Sequence, residues 1–111
     1  MAYSRGVTFT ETPVFTRQIA GLLTDDEYRG LQQALILNPG AGDVIRNSGG
    51  LRKVRWRSGS KGKRGGIRVI YYWSVREHDI YMLLAYGKNQ KDDLSPRELS
   101  IVRGLVQKVK L

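Results

Sequence analysis

Cysteine is absent from the sequence, and histidine occurs once, as His78. Without cysteine there is no disulfide framework and no thiolate zinc site, and one histidine cannot build a histidine-based metal site alone. Long apolar runs are also absent, since no stretch reaches the roughly 18 residues that cross a bilayer. The first residues, MAYSRGVTFTETPVF, lack the apolar centre of a secretory signal. These absences predict a reduced, cytoplasmic protein that uses neither a metal nor a cofactor.

Acidic residues are few. Ten Asp and Glu stand against 19 Lys and Arg, which gives a net charge of +9 and a pI near 10.2. No acid occurs from Val44 through Arg76, so we expect a cationic surface with no internal counter-charge. Such a charge favours nucleic acid, an anionic membrane or an acidic protein as partner. A membrane fits least, because no amphipathic helix carries the cations. Eight cations lie between Leu51 and Tyr72: Arg52, Lys53, Arg55, Arg57, Lys61, Lys63, Arg64 and Arg68.

The remaining pattern predicts one small α+β domain spanning residues 1–111. Three helix starts are marked by Thr12 before Pro13, by Thr24 with Glu27, and by Ser95 with Glu98. Because the strands are joined closely, we expect an antiparallel sheet. The prediction is a sheet of about four strands with two N-terminal helices and a C-terminal helix. The strands are 7–10, 51–57, 67–75 and 80–86, and the helices are 13–23, 25–37 and Pro96 to the C-terminus.

The alternation in 51–57 fixes the geometry of the basic stretch. Val54 and Trp56 fall on one face, and Lys53, Arg55 and Arg57 on the other. Alternate residues of a strand lie roughly 6.5–7 Å apart, close to the phosphate spacing of an extended nucleic-acid strand. The following loop, SGSKGKRGG, adds further cations, and we expect its ordering to be coupled to binding. These cations are Lys61, Lys63 and Arg64.

Arg68 and the aromatic residues each allow two interpretations. Arg68 lies inside a strand, where it is either a solvated strand-face residue or part of a cationic concavity. Alternation puts Tyr72 on the Arg68 side, where it either stacks on a base or fills the core. KGKRGG lacks phosphate-loop spacing and precedes a strand, so that interpretation is rejected. His78 is expected to be an ordinary residue of a hairpin loop at 76–79.

Several segments together resemble the RelE/ParE superfamily of bacterial toxins. They are the LRKVRWRS strand, the strand with glycine, arginine, two apolar residues and tyrosine at 66–71, and the YGK that ends the last strand. The longer segments NPGAGDVI, GGLRKVR, KGKRGGIRVIYY and YGKNQKDDL are most similar to its HigB branch. The resemblance covers nearly the whole chain. It implies a RelE-like fold and a ribosome-dependent mRNA endonuclease, the toxin of a type II toxin–antitoxin system.

The resemblance also implies roles for individual residues. RelE-type enzymes cleave without metal, because the ribose 2′-hydroxyl attacks the adjacent phosphate. Lys53 and Arg55 match two lysines on the second strand, and Arg68 matches an arginine that stabilises phosphate charge. Because arginine is a poor base, Lys53 is the better candidate for proton removal if crowding by cations lowers its pKa. Lys88 stands where the family has a catalytic arginine, with Lys63 or Arg64 as alternatives for the acid. The family's late base-stacking tyrosine is missing, so Tyr72 or Tyr86 is the candidate for that contact.

The implied partners are the 70S ribosome, mRNA and an acidic antitoxin. The antitoxin is expected to contain a helix-turn-helix, and the toxin is expected to reach operator DNA only through this antitoxin. Arg52, Arg57, Lys61, Lys63, Arg64 and Tyr72 are the expected RNA or ribosome contacts. Two other functions remain open. A ParE-like gyrase inhibitor shares the fold, and a non-catalytic RNA-binding module would also account for the charge.

Overall fold

The computed structural model describes residues 6–59, 66–91 and 93–110 and confirms an α+β fold. Two helices follow the first strand, and a third ends the described chain. The helices are α1 (Pro13–Leu22), α2 (Asp25–Leu37) and α3 (Pro96–Lys110). The strands are β1 (Thr8–Glu11), β2 (Asp43–Val44), β3 (Arg52–Trp56), β4 (Ile67–Ser74) and β5 (Asp79–Gly87). In the described chain they form one sheet in the order β1-β5-β4-β3-β2.

All three predicted helix starts are confirmed. The Thr12 hydroxyl accepts from the Phe15 amide at 3.0 Å, with Pro13 in the first turn of α1. At α2, Thr24 and Glu27 form the reciprocal capping box. The same box forms at α3, where the Ser95 amide donates to Glu98 and the Glu98 amide donates to the Ser95 hydroxyl. Capping satisfies backbone groups that a helix leaves unpaired, which is why these positions set the helix boundaries.

The sheet is covered on both faces, which gives two apolar cores. Alternate residues of β4 point to opposite sides: Val69 and Tyr71 pack with the α1 and α2 residues, and Ile70 packs with Val102 and Val106 of α3. Val54 and Trp56 of β3 join the α1–α2 side as predicted. The other face of β3, which carries Lys53 and Arg55, is therefore on the α3 side of the sheet.

Two features of the sheet differ from the prediction. β2 has two residues, Asp43 and Val44, pairs with β3, and makes the sheet five-stranded. β1 runs parallel to β5, whereas the other pairs are antiparallel. β1 covers only the first half of β5. Beyond it, the Thr12 hydroxyl donates to the Leu83 carbonyl and the Ala85 amide donates to the Gln18 side chain, so α1 satisfies the rest of that edge.

The loop before β2 is fixed by two side chains of the sheet. The buried Tyr71 hydroxyl donates to the Pro39 carbonyl at 2.6 Å and accepts from the Gly42 amide at 2.9 Å. Burial raises the pKa of Tyr71, so the phenol stays neutral and keeps both bonds. Arg52 Nη1 donates to the carbonyls of Gly40 and Gly42. These bonds hold β2 beside β3. No helix in the described ranges is long and apolar enough to span a membrane.

Gly66 controls the start of β4, next to the cationic residues. Its φ is +75°, and an added Cβ would lie 2.4 Å from the Trp56 carbonyl oxygen. We expect Gly66→Ala to lower the unfolding free energy by about 2 kcal/mol or more, because both the clash and the left-handed backbone oppose a side chain. Gly104→Ala, in an open position of α3, is the control and should stabilise by roughly 0.5–1 kcal/mol. Denaturant unfolding measures both, and equal stability of Gly66→Ala and wild type would contradict this account.

Candidate nucleic-acid interface

Arg55 and Arg68 lie directly opposite each other across the β3–β4 ladder. They share a face of the sheet, because residues that pair across two strands point to the same side. Lys53 is two positions away on β3, opposite Ile70, and lies on that same face. These three residues come from the two strands on which the sequence analysis placed them, and the pairing register brings them together.

Arg57 and Lys88 lie one row further along the sheet. Trp56 pairs with Ile67, which brings Arg57 beside Gly66, whose added Cβ would lie 3.4 Å from the Arg57 Cα. On the other side of Gly66, its carbonyl accepts from the Lys88 amide at 3.2 Å. Both side chains are exposed. We call Lys53, Arg55, Arg57, Arg68 and Lys88 the cationic cluster; along β3 it spans about 13 Å, four residues at ~3.3 Å each.

The members of the cationic cluster differ in exposure. Arg55 and Arg57 are exposed, whereas only 3% of Arg68 is accessible. The interpretation of Arg68 as a solvated strand-face residue was wrong, because its side chain is buried on the face of the sheet that packs with α3. Burial removes most of the rotamer freedom of a long side chain. Arg68 therefore forms the floor of the cluster, and Arg55 forms its accessible surface.

The cationic cluster does have internal counter-charges. Lys53 Nζ forms an ion pair with the Asp93 carboxylate, and Asp43 of β2 is the register partner of Lys53. The expectation of a cationic face without an internal acid was therefore wrong. Neither acid belongs to the acid-free stretch from 44 to 76, but the fold brings both of them beside Lys53.

A shallow cavity of about 270 Å³ opens beside these residues. Its lining carries three cations and two carboxylates, so it combines anion-binding groups with acceptors. Lining it are Asp43, Val44, Ile45, Arg46, Lys53, Arg55 and Asp93. Arg46 is thus a member of the site that the sequence analysis did not include among its candidates. The cavity provides a concave surface in which a phosphate can contact more than one cation.

The segment that carries Asp93 is fixed on both sides. Lys91 Nζ binds the Glu98 carboxylate and lies 5.2 Å from the centre of the Tyr86 ring. The hydrogen bond from Lys91, followed by that from the Ser95 amide, lowers the pKa of Glu98, so this carboxylate stays ionised at neutral pH. On the C-terminal side, Ser95 caps α3. Asp93 therefore lies between two anchored points.

Of the two tyrosines, Tyr86 is nearer to the cationic cluster. It is the register partner of Arg68 and is buried. Tyr72 does lie on the Arg68 side of β4, as predicted, and stacks on Tyr81 with ring centroids 6.4 Å apart. However, it is four residues from Arg68, about 13 Å along the strand. Tyr86 is buried and Tyr72 is half-buried, and the base-stacking role stays a prediction.

Some predicted contacts are not part of the cationic cluster. Arg52 points to the opposite face of β3 and holds the loop before β2 through its two carbonyl contacts. His78 lies in the turn between β4 and β5, as predicted. Lys61, Lys63 and Arg64 lie outside the described residues. In the described parts of the chain, no three His, Cys, Asp or Glu residues come together as a metal-binding group. The sequence matches no model of a known protein family.

Asp93 and Arg46 were missed because their positions depend on tertiary structure. Asp93 lies 40 residues after its partner Lys53. One signal was available: antiparallel pairing of the last two strands predicts that residues after Gly87 return to the start of β4. KNQKDD contains the first acids after that strand. Strand pairing alone therefore predicts an acid near Arg68. The contact of Asp93 with Lys53 depends in addition on the path that the chain takes from Gly87 into α3.

Substitution of Arg68 should now affect stability. Arg68→Ala removes a buried side chain and leaves its surroundings without their contacts, so we expect a loss of about 2–3 kcal/mol in unfolding free energy. Arg55→Ala, its exposed partner in the ladder, should change stability by less than about 0.5 kcal/mol. Denaturant unfolding of the two variants gives the comparison. If both are as stable as the wild type, the buried position of Arg68 is incorrect.

Proposed function

We propose that this protein is a ribosome-dependent mRNA endonuclease, the toxin of a HigB-like type II toxin–antitoxin system. The observation that carries the proposal is the pairing of Arg55 with Arg68, beside Lys53 on the same face of the sheet. The resemblance assigns roles in phosphate chemistry to the same three residues. Bringing them into one cluster is what RNA cleavage requires, because several donors must meet a single phosphate.

The proposed reaction is an internal transesterification that consumes only RNA, and water serves only to exchange protons. The ribose 2′-oxygen forms a bond to the adjacent phosphorus, and the bond from phosphorus to the 5′-oxygen breaks. The 2′-hydroxyl loses a proton and the leaving 5′-oxygen gains one. The products are a 2′,3′-cyclic phosphate and a 5′-hydroxyl, so atoms and charge balance.

The cationic cluster supports this reaction through electrostatics. Negative charge develops on the phosphate oxygens in the five-coordinate transition state, and fixed cations stabilise it more than they stabilise the ground state. The buried Arg68 has the fixed orientation that this effect needs, whereas the exposed Arg55 is accessible to phosphate. The planar guanidinium suits two phosphate oxygens at once. Arg57 and Lys88 extend the positive surface along the RNA backbone.

The proposed partners follow from the same charge distribution. Ribosomal RNA and mRNA are polyanions and match the net charge of +9. An acidic antitoxin with a helix-turn-helix would cover the cationic cluster and would carry the complex to operator DNA. The proposed location is the bacterial cytoplasm, where ribosomes are found.

Expression of the protein without a partner tests this function. In a bacterium, the wild type should stop growth and translation, and mRNA should be cut within translated regions. RNA sequencing of 5′ ends, with a parallel assay for DNA breaks, distinguishes the possibilities. Intact transcripts with DNA breaks would replace this function with gyrase inhibition, and RNA binding without any cleavage would leave a binding module.

A further inference from the structure

Lys53 is held by a carboxylate that the sequence does not place beside it. Its Nζ forms an ion pair with Asp93, and only 15% of the Lys53 side chain is exposed against 76% of Asp93. The covered lysine is therefore fixed within the cluster, while the carboxylate faces solvent. Asp93 can be substituted without opening the core, which makes its role testable.

The charged and titratable groups around Lys53 come from several elements. Asp43 and Arg46 lie at β2 and just after it, Arg55 is two positions along β3, and Arg68 pairs with Arg55 from β4. Asp93 contacts Nζ directly, at a distance where Coulomb attraction between the two charges is strong.

We propose that Asp93 is a positioning residue that holds Lys53 in place as an ammonium, so that Lys53 acts as a charged donor to the phosphate and not as a base. This inference rests on the proposed RNA cleavage. It replaces proton removal, the role that the resemblance suggested for Lys53. The carboxylate orients Nζ toward the cavity that Lys53 shares with Arg55. Its position between the anchored residues Lys91 and Ser95 is what allows it to orient Lys53.

The test measures single-turnover cleavage of mRNA on programmed ribosomes. Asp93→Asn keeps the size of the side chain and removes its charge, and we expect cleavage about 10-fold slower or more, since a misplaced group near the reacting atoms is costly. Ribosome binding, measured on the same preparation, should change much less than the rate, because Arg55 and Arg57 remain on the exposed surface. Asp93→Glu should restore part of the rate.

Replacement of Lys53 itself separates a charged donor from a base. Lys53→Arg keeps a cation that cannot act as a base, so we expect about a tenth of the wild-type rate or more to remain. In the double variant Lys53→Arg/Asp93→Asn, the loss in rate should be smaller than the product of the two single losses, because both substitutions act on one ion pair. Asp26→Asn, at an exposed acid that pairs with Arg29 on α2, is the control and should leave the rate unchanged.

The outcomes distinguish this inference from the proposed function. A wild type that cuts no RNA on ribosomes would overturn the proposed function. A cleaving wild type with an Asp93→Asn variant of equal rate would overturn only the role of Asp93. An inactive Lys53→Arg protein that is folded and binds ribosomes would also overturn it, because Lys53 would then be needed as a base.

Discussion

Arg55→Ala should slow ribosome-dependent mRNA cleavage about 100- to 1,000-fold, since a preorganised donor to developing charge contributes that much to a rate. Arg55 is the exposed member of the Arg55–Arg68 pair, so its loss removes the contact to phosphate without disturbing the core. The thermal unfolding midpoint should stay within about 3 °C of the wild type, as expected for a surface substitution. This combination distinguishes a functional residue from a structural one.

The control for this prediction is Arg103→Ala. Arg103 is exposed on α3, next to the buried Val102, and its removal changes the net charge by the same amount. If the two variants lose activity equally, overall charge accounts for the effect and the Arg55–Arg68 pair does not. A fully active and folded Arg55→Ala protein would remove Arg55 from the site.

Lys53→Met should also reduce cleavage about 100-fold or more, because it removes a fixed cation from the cluster. Methionine retains much of the length and apolar character of the lysine stem, so the partly covered position stays filled. Ribosome binding should weaken much less than cleavage, since Arg55, Arg57 and Lys88 still contact phosphate. Single-turnover rates and ribosome pelleting, measured on the same preparation, check both statements.

Lys108→Met is the matched control, because Lys108 is exposed on α3 and lies outside the cationic cluster. Its cleavage rate should equal that of the wild type. If Lys53→Met loses ribosome binding and cleavage in equal proportion, Lys53 serves in binding alone and has no selective effect on the transition state.

The secondary structure could be predicted because its signals are local. The capping boxes that begin at Thr24 and Ser95 each span four residues and mark the start of a helix. The alternation around Val54 determines which face of β3 is apolar. β2 was missed because two residues are too few to show a period. The parallel placement of β1 was missed because it depends on a strand about 70 residues away, beyond any local pattern.

The candidate site could be predicted only in part, for a related reason. The face shared by Lys53 and Arg55 follows from strand geometry, and Arg68 joins them through the register of β3 with β4. The burial of Arg68 depends on what covers the sheet, which alternation alone does not reveal. Asp93 approaches Lys53 through a segment whose path is set by Lys91, Glu98 and the cap of α3. Long-range contacts of this kind have no sequence period.

The central claim is that the cationic cluster cleaves RNA through attack by the 2′-hydroxyl. The most direct measurement is analysis of the ends produced when purified protein acts on a defined mRNA bound to ribosomes. The account predicts a 2′,3′-cyclic phosphate on the upstream fragment and a 5′-hydroxyl on the downstream fragment, with both absent from the Arg55→Ala reaction at equal times. An mRNA that remains intact, or fragments that end in a 3′-hydroxyl and a 5′-phosphate, would contradict it.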